Sequence, residues 1–370
     1  MTHMKIFKIP YINLTRQYLA LQHQIDAKIA QVMHDGSFIL RDDVRSFEER
    51  MAKYIGVRHV IGLNSGTDAL ILSLKALGVG SGDEVITVAH TFVATIAAIV
   101  HCGAKPVLVD IGSDMNIDSD KVQDAITGRT KGIIPVHMNG KLCHMDSLQA
   151  IAERHGLWIV EDACQSIGAQ QDGKMAGSFG QTGCFSLHPM KILNVGGDGG
   201  FVTTDDDDVA DHIRLLRNHG QRTKEVIEFY GFSSRLDNLQ AAIATIKLQN
   251  LEEWIATRRK LAAVYHEGLK ELDMLQLPQE EIRYRDVYNS YVIRCSKRDA
   301  LFHFLREKGI ECMVHWPQPL HKQPALGLDE HHLPETDLAS SEVLSLPLYP
   351  ELTSDEVQQI IHQVKEFAHG

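Results

Sequence analysis

The hydrophobic pattern between residues 57 and 217 alternates short apolar, β-branched runs with stretches that have apolar residues at helical spacing. Apolar runs of this length, bounded by polar residues and glycines, are typical of buried strands. Regular alternation of strand and helix predicts a mostly parallel sheet that is covered by helices on both faces. The predicted strands are His59–Asn64, Glu84–Val88, Pro106–Asp110, Gly132–His137, Leu157–Asp162, Gly183–His188 and Gly200–Thr204, and the predicted helices are Thr67–Leu77, Thr91–Cys102, Ser119–Ile126, Asp146–Arg154 and Asp206–Leu216.

The flanking segments predict two further units around this sheet. Residues 1–35 are interpreted as an N-terminal arm with one helix, residues 36–245 as the large domain, and residues 246–370 as a smaller C-terminal α/β domain. The long amphipathic segment Leu236–Leu269 connects the two domains. The acidic run Asp205–Asp208 is interpreted as a helix start, because carboxylates complement the positive end of the helix dipole.

Composition and charge narrow the class of protein. The chain has 370 residues, 44% of them hydrophobic, and a formal net charge of −11. This is the composition of a globular enzyme, and an acidic chain without a basic block is a poor partner for nucleic acid. No apolar run approaches the roughly 18 residues of a membrane span. We therefore expect neither nucleic-acid nor membrane binding.

The cysteines and histidines show no metal-binding or disulfide spacing. The six cysteines include no CxxC pair, and the only adjacent histidines are His331 and His332. We expect reduced thiols, no metal site, and a cytoplasmic location, because the N-terminus also lacks the pattern of a signal peptide.

Three predicted strands are followed by residues that can carry chemistry, and ligands of parallel sheets bind at the carboxyl ends of strands. Residues 64–70 (NSGTDAL) form either a phosphate-binding helix start or an ordinary helix cap. Asp162 ends an apolar strand, so it either pairs with a charged partner or caps the next turn. Lys191, before the glycine-rich stretch 196–200, is either a Schiff-base lysine or a solvated loop residue. Together the three features fit pyridoxal 5′-phosphate (PLP), with its phosphate at the helix start, its ring nitrogen at Asp162 and its aldehyde at Lys191.

A series of ordered motifs resembles the DegT/DnrJ/EryC1/StrS sugar aminotransferases, a group of fold-type I PLP enzymes. The resemblance covers nearly the whole chain. It is carried by IPYINL (9–14), SGTDAL (65–70), TFVAT (91–95), EDACQ (161–165), SLHPMK (186–191), GDGG (197–200), SRLDNLQAA (234–242), HWPQPLHKQPA (315–325) and LSLPLYPELT (344–353).

The resemblance implies a role for each matching residue. Lys191 would form the internal aldimine and move the proton during transfer, and Asp162 would keep the pyridine nitrogen protonated. Gln165 would bind the phenolic oxygen of the cofactor, and Phe92 would stack on its ring unless it is an ordinary core aromatic. The phosphate would be held by Gly66, Thr67 and Ser186, with His188 in a positioning role.

Three positions depart from the family pattern. Ser233 stands where the family usually has an asparagine that reaches the cofactor phosphate of the neighbouring subunit. Arg41 replaces a common glycine near the substrate mouth, and Ile192 replaces a common asparagine after the lysine. The contact at position 233 is the one that these departures put in doubt, because serine is shorter than asparagine.

The reaction that the resemblance implies is a ping-pong transfer of an amino group from an amino acid, L-glutamate, to a nucleotide-linked keto-sugar. The C-terminal motifs favour amination at C3 over C4. Substrate contacts are assigned to His188, His315, His321 and Tyr349, and for the last three the alternative is a structural role in loops. The family also implies a homodimer with shared active sites. A 4-aminotransferase, a sugar dehydratase and a non-catalytic PLP-binding regulator remain alternatives, although a dehydratase branch carries histidine in place of Lys191.

Overall fold

The computed structural model describes residues 7–370, so residues 1–6 of the predicted arm lie outside the described part of the chain. The helices are α1 Leu14–Asp35, α2 Asp42–Ile55, α3 Gly66–Ala76, α4 Val93–His101, α5 Ser119–Ala125, α6 Met145–His155, α7 Asp207–Leu216, α8 Asn238–Leu248, α9 Leu251–Leu269, α10 Arg298–Glu307, α11 Pro334–Glu342 and α12 Ser354–His369. The strands are β1 His59–Leu63, β2 Glu84–Val88, β3 Lys105–Val109, β4 Thr130–Ile133, β5 Trp158–Asp162, β6 Gln170–Gln171, β7 Lys174–Met175, β8 Thr182–Ser186, β9 Gly200–Thr204, β10 Leu275–Gln276, β11 Tyr284–Arg285, β12 Tyr291–Cys295 and β13 Val343–Leu346. No helix within residues 7–370 is long and apolar enough to cross a membrane.

The central sheet has seven strands in the order β1-β9-β8-β5-β4-β2-β3. Strand β9 is antiparallel to both of its neighbours, whereas the other pairs are parallel. These seven strands are the seven predicted from the sequence, and the predicted fold class is confirmed. The largest difference between predicted and observed strand bounds is at β4, which was predicted as Gly132–His137 and spans Thr130–Ile133.

Both faces of the sheet are buried, as the continuous apolar runs predict for parallel strands. Neighbouring residues on a strand alternate between two cores: Phe201 and Ile159 face the core under α2, α6 and α8. Val202 and Val160 face the core under α3, α4 and α7. Because successive side chains on a strand are buried in one core or the other, only the residues at the strand ends are left to contact a ligand.

The C-terminal part of the chain has its own apolar core. Strands β10, β12 and β13 form an antiparallel sheet that packs with α9, α10 and α12. The amphipathic segment 236–269 forms two helices, α8 and α9, and the predicted boundary at residue 245 falls within α8. The start of α9 contributes Leu251 and Ile255 to the large core, and its end contributes Tyr265 and Leu269 to the small one. Helix α9 therefore belongs to both cores, and the exact domain division stays a prediction.

The acidic run after β9 starts a helix, as predicted. The side chain of Asp206 caps α7 by accepting hydrogen bonds from the backbone N–H groups of Asp208 and Val209. The carboxylates thus lie where the unsatisfied N–H groups of the first turn need acceptors.

The N-terminal segment packs against the C-terminal core. The backbone N–H of Ile9 donates to the Gly309 carbonyl at 3.1 Å, and Glu311 N–H donates to the Ile9 carbonyl at 2.8 Å. Arg16, on α1, donates two hydrogen bonds to the Glu356 carboxylate of α12, at 2.9 and 2.8 Å. The first described residues are therefore attached to the small core, about 300 positions along the chain.

The Arg16–Glu356 pair predicts a pH-dependent contribution to stability. The hydrogen bond from Arg16 lowers the pKa of Glu356 from 4.5 to about 2. A carboxyl group with a depressed pKa stabilises the fold above its unfolded-state pKa, and this stabilisation disappears as the pH falls toward 2. We expect Glu356→Gln to lower the urea midpoint at pH 7, with a difference from wild type that shrinks between pH 5 and pH 2.

The matched control is Glu366→Gln on the same helix, because Glu366 pairs with Lys308 on the surface. We expect a much smaller change of the midpoint for this exposed pair. A Glu356→Gln difference that stayed constant with pH would contradict the assignment.

Candidate active site

A cavity of about 510 Å³ lies at the carboxyl ends of β1, β5 and β8. It is the place where the topology of a doubly covered sheet leads us to expect a ligand. The structure brings seven of the eight predicted cofactor residues into its wall. They are Gly66, Thr67, Phe92, Asp162, Gln165, Ser186 and Lys191, and the predicted substrate residues His188 and His315 join them.

The start of α3 forms a tight cradle at one end of the cavity. The Ser65 side chain caps the helix by accepting the Asp68 N–H at 3.0 Å, and the N–H groups of Gly66 and Thr67, which line the cavity, have no partner within the helix. A Cβ atom on Gly66 would lie 2.8 Å from Cys164 Sγ and 2.9 Å from Ser186 Cβ. One on Gly200 would overlap the backbone of Ser65. Backbone N–H groups beside small residues at a helix start suit a phosphate.

The crowding at Gly66 predicts a large effect of one methyl group. We expect Gly66→Ala to push Ser186 and Cys164 away from the helix start, and to raise the dissociation constant for PLP at least about tenfold. The measurement is titration of the cofactor by absorbance or fluorescence. The control is Gly80→Ala, because a Cβ at that position meets nothing within 4 Å. Equal affinities for the two variants would refute the crowding argument.

Asp162 is held in a fixed orientation at the end of β5. Its Oδ2 accepts a hydrogen bond of 2.7 Å from the Thr95 hydroxyl, and its Oδ1 accepts the Cys164 N–H at 3.3 Å. Because Thr95 donates to Asp162, the hydroxyl of Thr91, 2.8 Å away, must donate to Thr95. The carboxylate is buried at 6% exposure and has the hydrogen-bonded partners that a buried carboxylate requires.

Lys191 lies in the irregular segment 187–199 between the antiparallel strands β8 and β9. Its backbone N–H donates to the His188 carbonyl at 2.8 Å. Burial lowers the pKa of its amine, and the nearby Cys164 and Asp162 oppose this shift only in part. A lysine with a lowered pKa has a larger fraction of the free base, which is the nucleophilic form.

The amide of Gln165 is oriented by a residue that the sequence did not suggest. The backbone N–H of Asn139 donates to Gln165 Oε1 at 3.1 Å, and the amide nitrogen makes one long contact, of 3.7 Å, to Met138 Sδ, so its second N–H is left for a ligand. Asn139 adopts a left-handed conformation, with φ of 59°, which asparagine tolerates better than most residues. The predicted donor role of Gln165 is therefore compatible with its geometry.

Another part of the cavity wall comes from the N-terminal segment, from the residue before β12 and from the loop after α10. The Tyr11 hydroxyl lies 3.2 Å from both Ser290 Oγ and His315 Nε2. Burial, with a smaller contribution from the charge of Lys191, lowers the pKa of His315 to about 4. The imidazole is therefore neutral at pH 7, and Trp316 completes this wall.

Three predicted site residues lie outside the cavity. The exposed Ser233 accepts a hydrogen bond of 3.0 Å from Arg235 on the surface. His321 is buried at 2% exposure, with its Nε2 3.2 Å from Asp337 Oδ1. Tyr349 is buried at 1% exposure in the small core. The cavity of the single chain is thus formed without these three side chains.

Thr95, Tyr11 and Trp316 are site residues to which the sequence reasoning assigned no role. Thr91 and Thr95 are four residues apart, a spacing that brings two side chains together near the start of a helix. From that spacing, the contact between the two hydroxyl groups beside Asp162 could have been predicted. Tyr11 and Trp316 have no such local signal, since they meet only through the tertiary fold.

Comparison with known proteins identifies the family of the chain. Residues 20–365 match the model of the DegT/DnrJ/EryC1/StrS aminotransferase family. The chain is 44% identical to the "pleiotropic regulatory protein" of Geobacillus stearothermophilus, over 97% of this chain and 98% of that protein. It is 40% identical to the UDP-2-acetamido-2-deoxy-3-oxo-D-glucuronate aminotransferase of Pseudomonas aeruginosa, over 95% and 98% respectively.

The fold comparison gives the same result. The crystal structure of S. venezuelae DesV, in complex with a ketimine intermediate, superposes with a TM-score of 0.95 at 39% identity, over 98% of this chain and 99% of that one. The match of fold and sequence extends over the two cores and the cavity between them. The chain belongs to the DegT/DnrJ/EryC1/StrS aminotransferase family.

Proposed function

We propose that this protein is a PLP-dependent aminotransferase that moves an amino group from L-glutamate to C3 of a nucleotide-linked keto-sugar by a ping-pong mechanism. The observation that carries the proposal is the meeting of three groups in one cavity: the helix start at Gly66, the carboxylate of Asp162 and the buried amine of Lys191. No one of them is specific for a function, but together they match three separate parts of one cofactor.

The residues present fit PLP. The crowded cradle at Gly66 and Thr67, with the Ser186 hydroxyl beside it, would hold the phosphate. Asp162 would accept a hydrogen bond from the protonated ring nitrogen, Gln165 would donate to the phenolic oxygen, and Phe92 would cover the ring. When bound, PLP supplies an aldehyde that condenses with amines and a ring that withdraws electrons from the substrate carbon.

Lys191 acts first as the residue that holds the cofactor and then as the proton carrier. Burial lowers the pKa of Nζ, which favours the free amine that would accept a proton from the substrate carbon. Within the same half-reaction Nζ would pass that proton to the carbon of the former cofactor aldehyde. In the second half-reaction it would carry a proton the opposite way, to the sugar carbon that takes up nitrogen. Asp162 would be the partner of the protonated ring nitrogen, and Thr95 and the Cys164 N–H hold its carboxyl group in place for that role.

The sugar substrate is proposed from the similar proteins and from the cavity. The P. aeruginosa relative is named for a UDP-linked 3-oxo sugar. In this chain the wall of Tyr11, Ser290 and His315 offers hydroxyl and neutral imidazole groups, which suit the hydroxyls of a sugar. We assign C3 as the position of amination on this basis.

We also propose a homodimer in the cytoplasm. Ser233 and its neighbour Arg235 are available for a partner subunit's cofactor phosphate, because Ser233 is exposed outside its own cavity. The six cysteines are free thiols, which is typical of a reducing compartment.

The test is an absorption spectrum of the purified protein with PLP, before and after L-glutamate, followed by UDP- and dTDP-linked 3-keto and 4-keto sugars. We expect glutamate to convert the visible band to the near-ultraviolet band of the amine form of the cofactor. A 3-keto sugar should then restore the visible band with formation of the amino sugar.

The alternatives give different results in the same experiment. Restoration by a 4-keto sugar alone would assign the other ring position, and a band that glutamate leaves unchanged would point to a dehydratase or another donor. If the spectrum lacks a band that depends on Lys191, the result would support a non-catalytic regulator. This is the role that the name of the G. stearothermophilus relative suggests.

A further inference from the structure

A buried polar cluster lies behind the segment that carries Lys191. It consists of Lys247 on α8, Gln17 on α1 and Asn194 in segment 187–199, and their exposures are 6%, 6% and 2%. Nζ of Lys247 donates to Gln17 Oε1 at 2.9 Å and to Asn194 Oδ1 at 2.7 Å. Among the ion pairs within residues 7–370, none includes Lys247, so two amide oxygens solvate its buried charge.

The ammonium group determines how the Asn194 amide is oriented. An ammonium group only donates, so both amides must turn their oxygens toward Lys247. Asn194 Nδ2 then donates to the same Gln17 Oε1 at 3.0 Å and to the backbone carbonyl of Lys191 at 3.3 Å. Reversing the amide would place its NH₂ group against the ammonium and its oxygen against the carbonyl.

Segment 187–199 depends on contacts of this kind, because it contains neither helix nor strand. Its ends are fixed by the strand pairing of β8 with β9 and by the Leu187 N–H, which donates to the Gly199 carbonyl at 2.8 Å. Between them, the Asn194 side chain bonds the carbonyl of Lys191 itself. A small displacement of a reacting group lowers the rate far more than it lowers binding.

We propose that Lys247 is a positioning residue for Lys191: its ammonium fixes the Asn194 amide, and this amide holds the backbone of Lys191 in place. This inference rests on the proposed function, in which Lys191 is the reacting amine. Lys247 does not line the cavity and is not a catalytic residue. Burial also lowers its pKa to about 8, which agrees with a charge that is only partly compensated.

Two variants separate positioning from simple stabilisation. Asn194→Asp keeps the acceptor for Lys247 and strengthens that contact with a charge, but it removes the donor to the Lys191 carbonyl. Lys247→Met keeps the length of the side chain and removes the charge that orients the amide. The matched control is Thr87→Val, which removes a buried hydrogen bond of 2.8 Å to the Ile134 carbonyl in the same sheet, away from segment 187–199.

The measurements are kcat and KM of the holoenzyme, thermal unfolding, and hydrogen exchange of segment 187–199 in protein without added cofactor. We expect Asn194→Asp and Lys247→Met each to lower kcat about tenfold, the effect of one lost hydrogen bond on a reacting group, with KM within twofold. Exchange should become faster in segment 187–199 for both variants and not for Thr87→Val.

Two results would overturn the proposal. One is wild-type kcat and exchange in Asn194→Asp, which folds even if Lys247→Met does not. The other is a loss of kcat in Thr87→Val equal to that of Asn194→Asp and Lys247→Met, when all three variants have the same unfolding temperature. A wild-type protein that lacks transamination would instead refute the proposed function, and the exchange of segment 187–199 would still decide whether Lys247 positions it.

Discussion

The variant Lys191→Ala is expected to lose at least about 10⁴-fold in kcat for transamination, because both the covalent attachment of the cofactor and the proton carrier are removed together. It should still bind PLP through the helix start at Gly66, so cofactor affinity should fall much less than activity. The visible absorption band that depends on the lysine should be absent. Rapid-scan absorbance after glutamate addition, with the amino acid product measured separately, gives both quantities.

Two controls make this result specific to Lys191. Lys191→Arg keeps a positive charge at the position but cannot form the covalent bond, so we expect the same loss. Lys53→Ala, on the exposed side of α2, should keep wild-type kcat and the visible band. Residual activity of Lys191→Ala above about one per cent would show that another group carries the proton.

The variant Asp162→Asn is expected to lower kcat by about 10²- to 10³-fold, the usual range for removing one preorganised electrostatic partner. Asparagine has the same shape and can keep an acceptor for the Thr95 hydroxyl, so the fold should remain intact. It carries no charge, however, and would no longer keep the ring nitrogen protonated. We therefore expect the pH dependence of the visible band to change together with kcat.

The control for Asp162→Asn is Asp205→Asn, which also follows a strand end but lies outside the cavity and accepts the Arg58 N–H on the surface. We expect wild-type kcat for this variant. A loss of less than about tenfold in Asp162→Asn would mean that the ring nitrogen does not need a charged partner in this enzyme.

Most strands of the large sheet were predictable because they are short apolar runs whose two faces are both buried, whereas β4 has the sequence TKGI and its bounds shifted. Strand β5 shows this: Trp158–Asp162 has apolar residues facing both cores and then a carboxylate at its end. The meeting of residues 64–70, Asp162 and Lys191 in one cavity was predictable from the strand pattern, since motifs that follow parallel strands lie at one edge of the sheet. The roles of Gln165, Phe92 and Ser186 were implied only by the family resemblance.

The small-domain details were not predictable in the same way. Strands β10 and β11 are only two residues long, and their pairing depends on neighbours rather than on a pattern of their own. The break between α8 and α9 falls at Gln249 and Asn250, where no proline or glycine marks it. Such features are determined by packing, which overrides weak local preference.

The contacts of the cavity wall were also beyond local reasoning. Tyr11 and His315 are 304 positions apart in the chain, and neither motif indicates that the other is its partner. His321 and Tyr349 are residues that the motifs assigned to the substrate site but that lie outside the cavity. They lie in motifs of the substrate region, but the structure buries both away from the cavity.

The pairing of residues 9 to 11 with residues 309 to 311 has a consequence for the order in which the protein is made. During synthesis the N-terminal segment leaves the ribosome first, whereas its partners follow about 300 residues later. The central motifs for the cofactor emerge in between, before the wall formed by Tyr11 and His315 can close. The cavity therefore cannot reach its final shape before residues 309–315 have been made, and residues 9–11 cannot form these contacts until then.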